Sequence, residues 1–573
     1  MARDDDFHSI GMRTRRAARR ARAVALDLRR VRQLRALRQE IASLRADHPG
    51  LTTDLTHHAR PPARHVLLVS LSDDPQEIRL AALLGKSVQL QGGRMSVLVF
   101  RAARRSARLF RALGLTELVY YEDFVPGRRG LDPETLGGLE RCRTVADYKA
   151  FEVEGVRVGR QALSTVVRSS HEPRVDLGDP AVRLAIRRTV EYAVESIHVG
   201  NGVLDTVAPD CLLMLERGYA GLGSLFDRAL VRGIPVIQWQ SAHRDDAFFL
   251  KRYTLDAREF HARSLEQSTW KRLLEVGLTE EREAALAREM AAQEEGKWFL
   301  SRRTRHAAQG ENLDALRDSL GLDRDRKVAV LFSHVLWDAS MFYGRDLFSD
   351  QGQWFEETVR VAAEDDRVQW LVKLHPSLYW KLRFDGVHED PAELEMIREA
   401  VGHLPTHMHL VRPDDRVSNV DLFRIIDAGV TIRGTVGIEL PPLGVPVITA
   451  GTSDYSGKGF TLDADTVEQY VANLRSIADL ERLSAEQVRL AKLYAFGIYC
   501  VRPWRFESFS IDYLPLDEAG DTLEHRLRYN VRTLSDLEHA DDLAAFARWV
   551  VDSDEEDFVN EQALAAPQPV GST

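Results

Sequence analysis

The sequence predicts two doubly wound α/β domains in tandem, and three observations carry that expectation. At 573 residues the chain is too long for a single hydrophobic core. Short apolar strands alternate with amphipathic helices in two separate runs, one beginning at 65-HVLLVSL-71 and the other at 327-KVAVLFSHVLWDA-339; that alternation is the mark of parallel sheets covered by helices on both faces. Between the runs, residues 256–325 are charged, Ala-rich and helical in period, with Arg/Glu pairs suited to solvated faces.

The first element is basic. Along 12–46, Val24, Leu28, Val31, Leu34, Leu37, Ile41 and Leu44 recur every three or four residues and lay one apolar stripe on a helix whose other faces carry arginines. Two readings stay open: a helix lying on an anionic membrane surface, or one packed on its own protein or in a short coiled coil. No aromatic interleaving or reader motif accompanies the arginines, so no nucleic acid partner is expected. Residues 1–50 form this unit, and a polar linker spans 47–63.

A first domain over 64–255 follows. It opens strand–helix–strand with 65–71, 75–93 and 95–100. Gly85-Lys86-Ser87 is no phosphate loop, because the pattern requires a glycine where Leu80 stands and the triplet lies inside the helix. A helix near 179–203 leads to 209-PDCLLMLE-216, a strand ending in Glu216; a Gly-containing turn then opens a helix, and 233-GIPVIQWQ-240 supplies another strand. After the connector comes a second domain over 326–485. It holds a helix at 353–365, strands at 368–375, 407–412, 428–432 and 445–450, a helix near 418–427, and a 434-GTVGIE-439 turn whose helix Pro441 and Pro442 interrupt. Helices over 486–550 are expected to brace the domains, and 551–573 reads as a disordered acidic tail.

Cys142, Cys211 and Cys500 are widely spaced and odd in number, which fits a reducing compartment and no Cys-based metal site. No run approaches the roughly 18 apolar residues of a membrane span, and the first residues lack a signal-peptide core. A cytoplasmic protein is the expectation.

Open parallel sheets bind ligands beyond the carboxyl ends of their strands. There the sequence puts His375 with Pro376, which holds the histidine extended, and Arg433, Gly434 and Thr435. In the turn, Gly434 and Gly437 permit close backbone approach, the helix start offers N–H groups and a positive dipole end, and Thr435 adds a hydroxyl. Glu439, one turn on, is placed for ribose hydroxyls. The plain alternatives are a structural histidine and an ordinary strand-to-helix turn. Glu216 is the candidate base, with His243 and Asp245 as rivals and Asp73 and Asp74 beyond them; its alternative is an ion pair with Arg217. Asp245-Asp246 and Asp414-Asp415 carry no metal-ligand spacing, and no metal is expected.

The stretches 330-VLFSHVLWDA-339, 354-WFEETV-359, 371-LVKLHPS-377 and 434-GTVGIELPPLGVPVITAGTSDYSGKGFT-461 resemble the capsule polysaccharide biosynthesis family of bacterial glycosyltransferases, which includes Kdo transferases. The resemblance covers about 325–500. It implies a GT-B-like fold of two Rossmann-like domains facing a cleft, with the acceptor on the first and a nucleotide-sugar donor on the second. It implies that His375 and Thr435 hold the donor phosphate, that Glu439 serves the donor side, and that Tyr455, Lys458 and Gly459 belong to the same composite motif. Pro441-Pro442 and Arg433 depart from the usual pattern, and Arg433 either adds a cation or pairs with an acid. No cofactor is implied: the nucleotide-sugar, a CMP-sugar among the candidates, is substrate, and the acceptor is a polysaccharide or lipid-linked glycan at the inner membrane surface. A nucleotide-sugar 2-epimerase, a polyol-phosphate transferase or a non-catalytic assembly protein on the same scaffold remain open.

Overall fold

In the computed structural model of the chain the described residues are 35–56, 64–127, 130–295, 298, 313–415, 417–513 and 525–565. The first run builds five parallel strands, β1 (His65–Val69), β2 (Arg94–Val99), β3 (Leu118–Tyr120), β4 (Cys211–Met214) and β5 (Val236–Ser241), with β6 (Ala247–Tyr253) antiparallel beside β5. The second builds five parallel strands, β7 (Val328–Phe332), β8 (Gln369–Lys373), β9 (Met408–Val411), β10 (Ala428–Thr431) and β11 (Val447–Thr449). Numbered within its own sheet, each set of five runs in the spatial order three, two, one, four, five. Each sheet therefore has a switch point where the order reverses, between β1 and β4 in one and between β7 and β10 in the other. Strands β1, β4, β7 and β8 are buried along their whole length, because helices cover both faces of a parallel sheet.

Local chemistry sets the element ends. The helix Pro75–Leu90 starts on the Asp74 carboxylate, which accepts from the N–H groups of Gln76 and Glu77, with proline at its first position. Lys86 lies inside this helix, buried, donating to the Thr53 carbonyl, so Gly85-Lys86-Ser87 forms no loop. Two strands, β3 and β6, carry no clear sequence signal. Lys251 and Arg252 interrupt the apolar run of β6, yet both are buried.

The end of the chain corrects the expected organisation. Residues 486–550 are not a set of bracing helices alone. After the helix Ala485–Phe496, β12 (Pro503–Arg505) pairs antiparallel with β6 and so joins the first sheet, and β13 (Phe509–Tyr513) and β14 (His525–Tyr529) form a hairpin. Trp504, Phe546 and Val550 share one core with Val66, Leu68 and Val88 of the first domain. The helix Ala485–Phe496 does brace: Leu493 and Tyr494 pack with Leu273 and Leu286 of the connector helices Gln267–Val276 and Glu280–Glu294, and with Ile438 and Tyr455 of the second domain.

Residues 551–565 are likewise no disordered tail. The Asp557 carboxylate is buried, 2.9 Å from Lys251 Nζ and 3.2 Å from Arg502 NH2, and Leu564 is buried in the core beside Trp270. A stretch acidic in composition thus supplies the counter-charge for two buried cations. Residues 566–573 lie outside the described residues.

At the other end, a helix over 35–47 buries Leu37 and Leu44 in the first domain's core, and Arg105 pairs with Glu40 at 3.1 Å. For this half of the basic segment, packing on its own protein is the outcome; Val24, Leu28, Val31 and Leu34 lie outside the described residues. The linker contains a short helix, Pro49–Thr52, whose Gly50 N–H donates to the Arg532 carbonyl. Among the described residues no helix is long and apolar enough to cross a membrane.

Candidate active site

A cavity of about 1130 Å³ opens where the carboxyl ends of the two sheets face each other. Glu216 enters it just past β4 and His243 past β5; from the other sheet come Ser333 and His334 past β7, His375 and Pro376 past β8, and Gly434 and Thr435 past β10. The second sheet's switch point and the ends of β4 and β5 thus open into one cleft. The loop after β7 closes one side. Phe342 lies so close to Gly218 that a Cβ there would meet its ring at 2.0 Å. Tyr219 OH donates to Asp338 Oδ1 at 2.8 Å, Arg168 reaches Asp385 at 2.6 Å, and Arg263 pairs with Asp454 at 2.8 Å. The first two contacts cross between the domains, and the third ties the connector to the second domain.

On the second-domain wall, His375 is held at both ends of its residue: its backbone N–H donates to Ser333 Oγ (3.0 Å), and Nδ1 accepts from Ser377 N–H (3.1 Å). With Nδ1 accepting, the neutral ring carries its proton on Nε2, a donor suited to an anionic oxygen. His334 stands 6.3 Å away, ring to ring, and its Nδ1 is buried without a hydrogen-bond partner among the described residues. Burial, with Arg433 nearby, pushes its pKa down to about 4, so the ring is neutral.

Lys373 sits two residues before His375 and shares its face of the strand. It is only 5% exposed, yet lines the cavity. Among the described residues its ammonium has no hydrogen bond or ion pair at contact distance, and the Asp415 carboxylate attracts it from farther off. Burial pushes its pKa down to about 8, which leaves it largely charged at neutral pH. Neither His334 nor Lys373 was singled out in the sequence; the available signal was a polar residue at the end of an apolar strand, one turn of argument short of a site.

The turn supplies less than expected. Its helix is only Val436–Glu439, passing into a 3-10 turn at Pro441–Leu443 because proline cannot continue the ladder. Four residues develop little macrodipole, and the Gly434 N–H is already bonded to Thr431 Oγ1 at 3.1 Å. Thr435 and Glu439 do line the cavity. Burial raises the Glu439 pKa while hydrogen bonds from Thr435 and Gln293 oppose the rise.

Of the candidate residues, Arg433, Gly437, Tyr455, Lys458, Gly459 and Asp245 do not line the cavity, and neither do Asp73 and Asp74. Arg433 is buried, its guanidinium engaged by Asp346 and the Tyr343 carbonyl, so of its two readings the ion pair is the one formed. Gly437 makes room for the Tyr455 ring, which a Cβ would strike at 2.1 Å. Tyr455, fully buried, braces the turn by donating to the Gly434 carbonyl at 2.9 Å. Lys458 lies over the Trp270 ring, and Gly459 is an exposed turn glycine at φ 90°. Asp245 is not part of the cavity wall.

On the first-domain wall, Glu216 Oε1 accepts from the N–H groups of Arg217 (2.6 Å) and Gly218 (2.9 Å). Burial raises its pKa and those two donors oppose the rise. The Arg217 guanidinium instead serves Gln238 Oε1 at 3.0 Å and the carbonyls of Arg258 and Phe260. Asp73 and Asp74 are spent on helix starts, accepting from Ser106 N–H and from Gln76 and Glu77 N–H. His243 Nε2 is 3.0 Å from Glu289 Oε1, and Glu289 in turn is held by Arg505 at 2.9 Å. Among the described residues no group of three His, Cys, Asp or Glu is placed to hold a metal ion.

The topology defines the class: two Rossmann-like domains facing a central cleft, the GT-B arrangement. No protein-family model matches the sequence, and no curated protein does. Among solved structures, the chain is similar to a UDP-GlcNAc 2-epimerase from Neisseria meningitidis bound to UDP-GlcNAc (13% identity, 76% of this chain and 98% of that one, TM-score 0.25). It is also similar to the Thermosulfurimonas dismutans KpsC beta Kdo 2,4 transferase (13%, 58% and 87%, TM-score 0.28) and beta Kdo 2,7 transferase (13%, 55% and 83%, TM-score 0.30). The fold assignment rests on the strand order itself.

Proposed function

We propose that the protein is a glycosyltransferase that moves a sugar from a nucleotide-sugar donor to a growing surface polysaccharide or glycolipid. One observation carries this reading: a buried cation, Lys373, with no hydrogen bond or ion-pair contact among the described residues, lines a cleft between two Rossmann-like sheets beside the imidazoles of His334 and His375. A buried charge that the Asp415 carboxylate offsets only in part is costly, and an anionic phosphate entering the cleft lowers that cost. In this reading the donor phosphate lies against Lys373, His334, His375 and the Thr435 hydroxyl, with Glu439 toward the ribose. Glu216 takes the proton from the acceptor hydroxyl. The acceptor oxygen bonds to the anomeric carbon, the bond from that carbon to the phosphate oxygen breaks, and Lys373 neutralises the charge left on the phosphate. Because the chain supplies that cation itself, transfer needs no metal. Residues 12–34, ahead of the docked helix, would hold the enzyme to the anionic cytoplasmic face of the membrane, where lipid-linked acceptors reside.

The test is a thermal-shift screen against CMP, CDP, UDP, GDP and their sugars, since a ligand that binds the native state raises its stability. A shift with one nucleotide and its sugar, followed by release of that nucleotide with an elongated acceptor, is the expected result. An isomerised sugar without transfer would replace this reading with an epimerase, and no shift with any nucleotide would remove it.

A further inference from the structure

The part of the cleft lined from β5 and residues 497–501, its second lobe, carries no residue of β8 and differs in chemistry from the part that holds Lys373. Its wall carries Gln240 at the end of β5, His243 just beyond, and Tyr499 from the π-helical turn Gly497–Val501. Gln240 Oε1, His243 Nδ1 and Tyr499 OH are each buried without a hydrogen-bond partner among the described residues. Orphaned buried polar atoms are rare in folded proteins, and each calls for a ligand or a water. Three of them on one wall is a built polar surface.

The protonation of these groups says what that surface accepts. Glu289 is held below the ordinary carboxylate range; burial opposes this, and His243, Arg244 and Arg505 outweigh it. As a carboxylate it can only accept, so His243 Nε2–H donates to it. Nδ1 then carries a lone pair, since burial lowers the His243 pKa and keeps the ring neutral. Gln240 offers a carbonyl oxygen, and Tyr499, pushed well above its ordinary range by burial, keeps its hydroxyl. The lobe therefore presents acceptors at Gln240 Oε1 and His243 Nδ1, with the Gln240 amide and the Tyr499 hydroxyl able to donate as well, and among the described residues this wall holds no unpaired cation. Aromatic rings flank it: His243 lies 4.6 Å from Trp298 and 4.9 Å from Tyr499, and Phe249 is the cross-strand partner of Gln240.

We infer that this lobe is a subsite for a neutral sugar ring, whose hydroxyls donate to Gln240, His243 and Tyr499 and whose apolar face lies on Trp298 and Phe249. A carboxylate or phosphate is disfavoured here, because it cannot donate to Gln240 Oε1 or His243 Nδ1 and meets no unpaired cation among the described residues of this wall. The inference rests on the transferase reading only for what the sugar is doing, not for its chemistry. Within that reading the ring belongs either to the glycan acceptor or to the donor sugar.

The test uses the full chain and saturation-transfer difference NMR with methyl glucoside, methyl galactoside and N-acetylglucosamine, set against glucuronate and galacturonate. Neutral sugars should give signal. Tyr499→Phe and Gln240→Leu should each weaken it about fivefold, with melting midpoints unchanged because no protein hydrogen bond is lost. Uronates binding as well as the neutral sugars, or signals unaffected by both substitutions, would overturn the inference. Where transfer can be assayed, a rise in acceptor KM marks the ring as the acceptor's, and a rise in donor KM with unchanged affinity for free nucleotide marks it as the donor's. No sugar signal alongside an intact nucleotide shift would sink the subsite and leave the transferase reading standing; sugar signal without any nucleotide shift would do the reverse.

Discussion

Replacing Lys373 with methionine should make the empty protein more stable and the bound protein weaker. The two side chains are similar in length, so the substitution keeps the packing and removes the charge. The fall of the Lys373 pKa from 10.5 to about 8 corresponds to about 3 kcal/mol, at 1.36 kcal/mol per pKa unit. The sign follows from linkage: the folded protein holds this proton less tightly than the unfolded chain. The penalty is therefore fully present below pH 8 and fades as pH rises toward 10.5. Lys373→Met should raise the melting midpoint at pH 7, and the gain should shrink between pH 8 and 10.5. The same interaction is recovered when a phosphate enters, so nucleotide affinity should fall by up to about 100-fold, at 1.4 kcal/mol per decade. Affinity for the corresponding nucleoside should not change. Calorimetry with nucleotide and nucleoside, alongside thermal melts across pH, reads all of this. A variant that melts lower than the parent, or that binds the nucleotide as tightly, would show that Lys373 faces something other than a ligand phosphate.

Glu216→Gln should abolish transfer while leaving nucleotide-induced thermal shifts nearly intact; retained turnover removes Glu216 from the mechanism. Asp557→Asn leaves Lys251 and Arg502 without their shared buried carboxylate and should cost about 3–5 kcal/mol, read as a lowered denaturation midpoint. Burial raises the Asp557 pKa, but Arg502 and Lys251 outweigh it and hold the group below its ordinary value. Its contribution is thus present above pH 4 or so and lost as pH falls through the folded pKa, and acid melts of the parent and Asp557→Asn should converge. Removing residues 1–34 should preserve the melting midpoint and abolish sedimentation with anionic vesicles. Removal through 46 should destabilise the fold, because Leu37 and Leu44 sit in the core. If Lys373 meets the donor phosphate as proposed, chelation should leave transfer unchanged; loss of transfer with a chelator, restored by added divalent cation, would refute the metal-free reading.

Much of the fold was legible because parallel strands buried on both faces must be apolar throughout. HVLLV and VAVLF announce themselves, and Pro376 and the glycines mark where strands end. β3 escaped notice because it is only three residues long, and β6 because tertiary partners make its polar residues acceptable. Lys251 and Arg252 in β6 look like solvent-facing positions until Asp557 and the carbonyls of Trp549 and Ser553 are brought beside them. The acidic tail was misread for the same reason from the other side.

The site divides in the same way. His375, Thr435, Glu439 and Glu216 could be placed at a cleft from strand ends alone, since a parallel sheet sends its ligands there. Whether a side chain turns toward that cleft depends on its neighbours in space: Asp346 draws Arg433 away, Tyr455 fills the room Gly437 leaves, and Trp270 takes Lys458. The linear pattern determined two parallel sheets and the loops that converge between them. Only the folded chain decided which charges are cancelled and which, like Lys373, are left facing an open cavity, because pairing depends on distances between residues far apart in sequence.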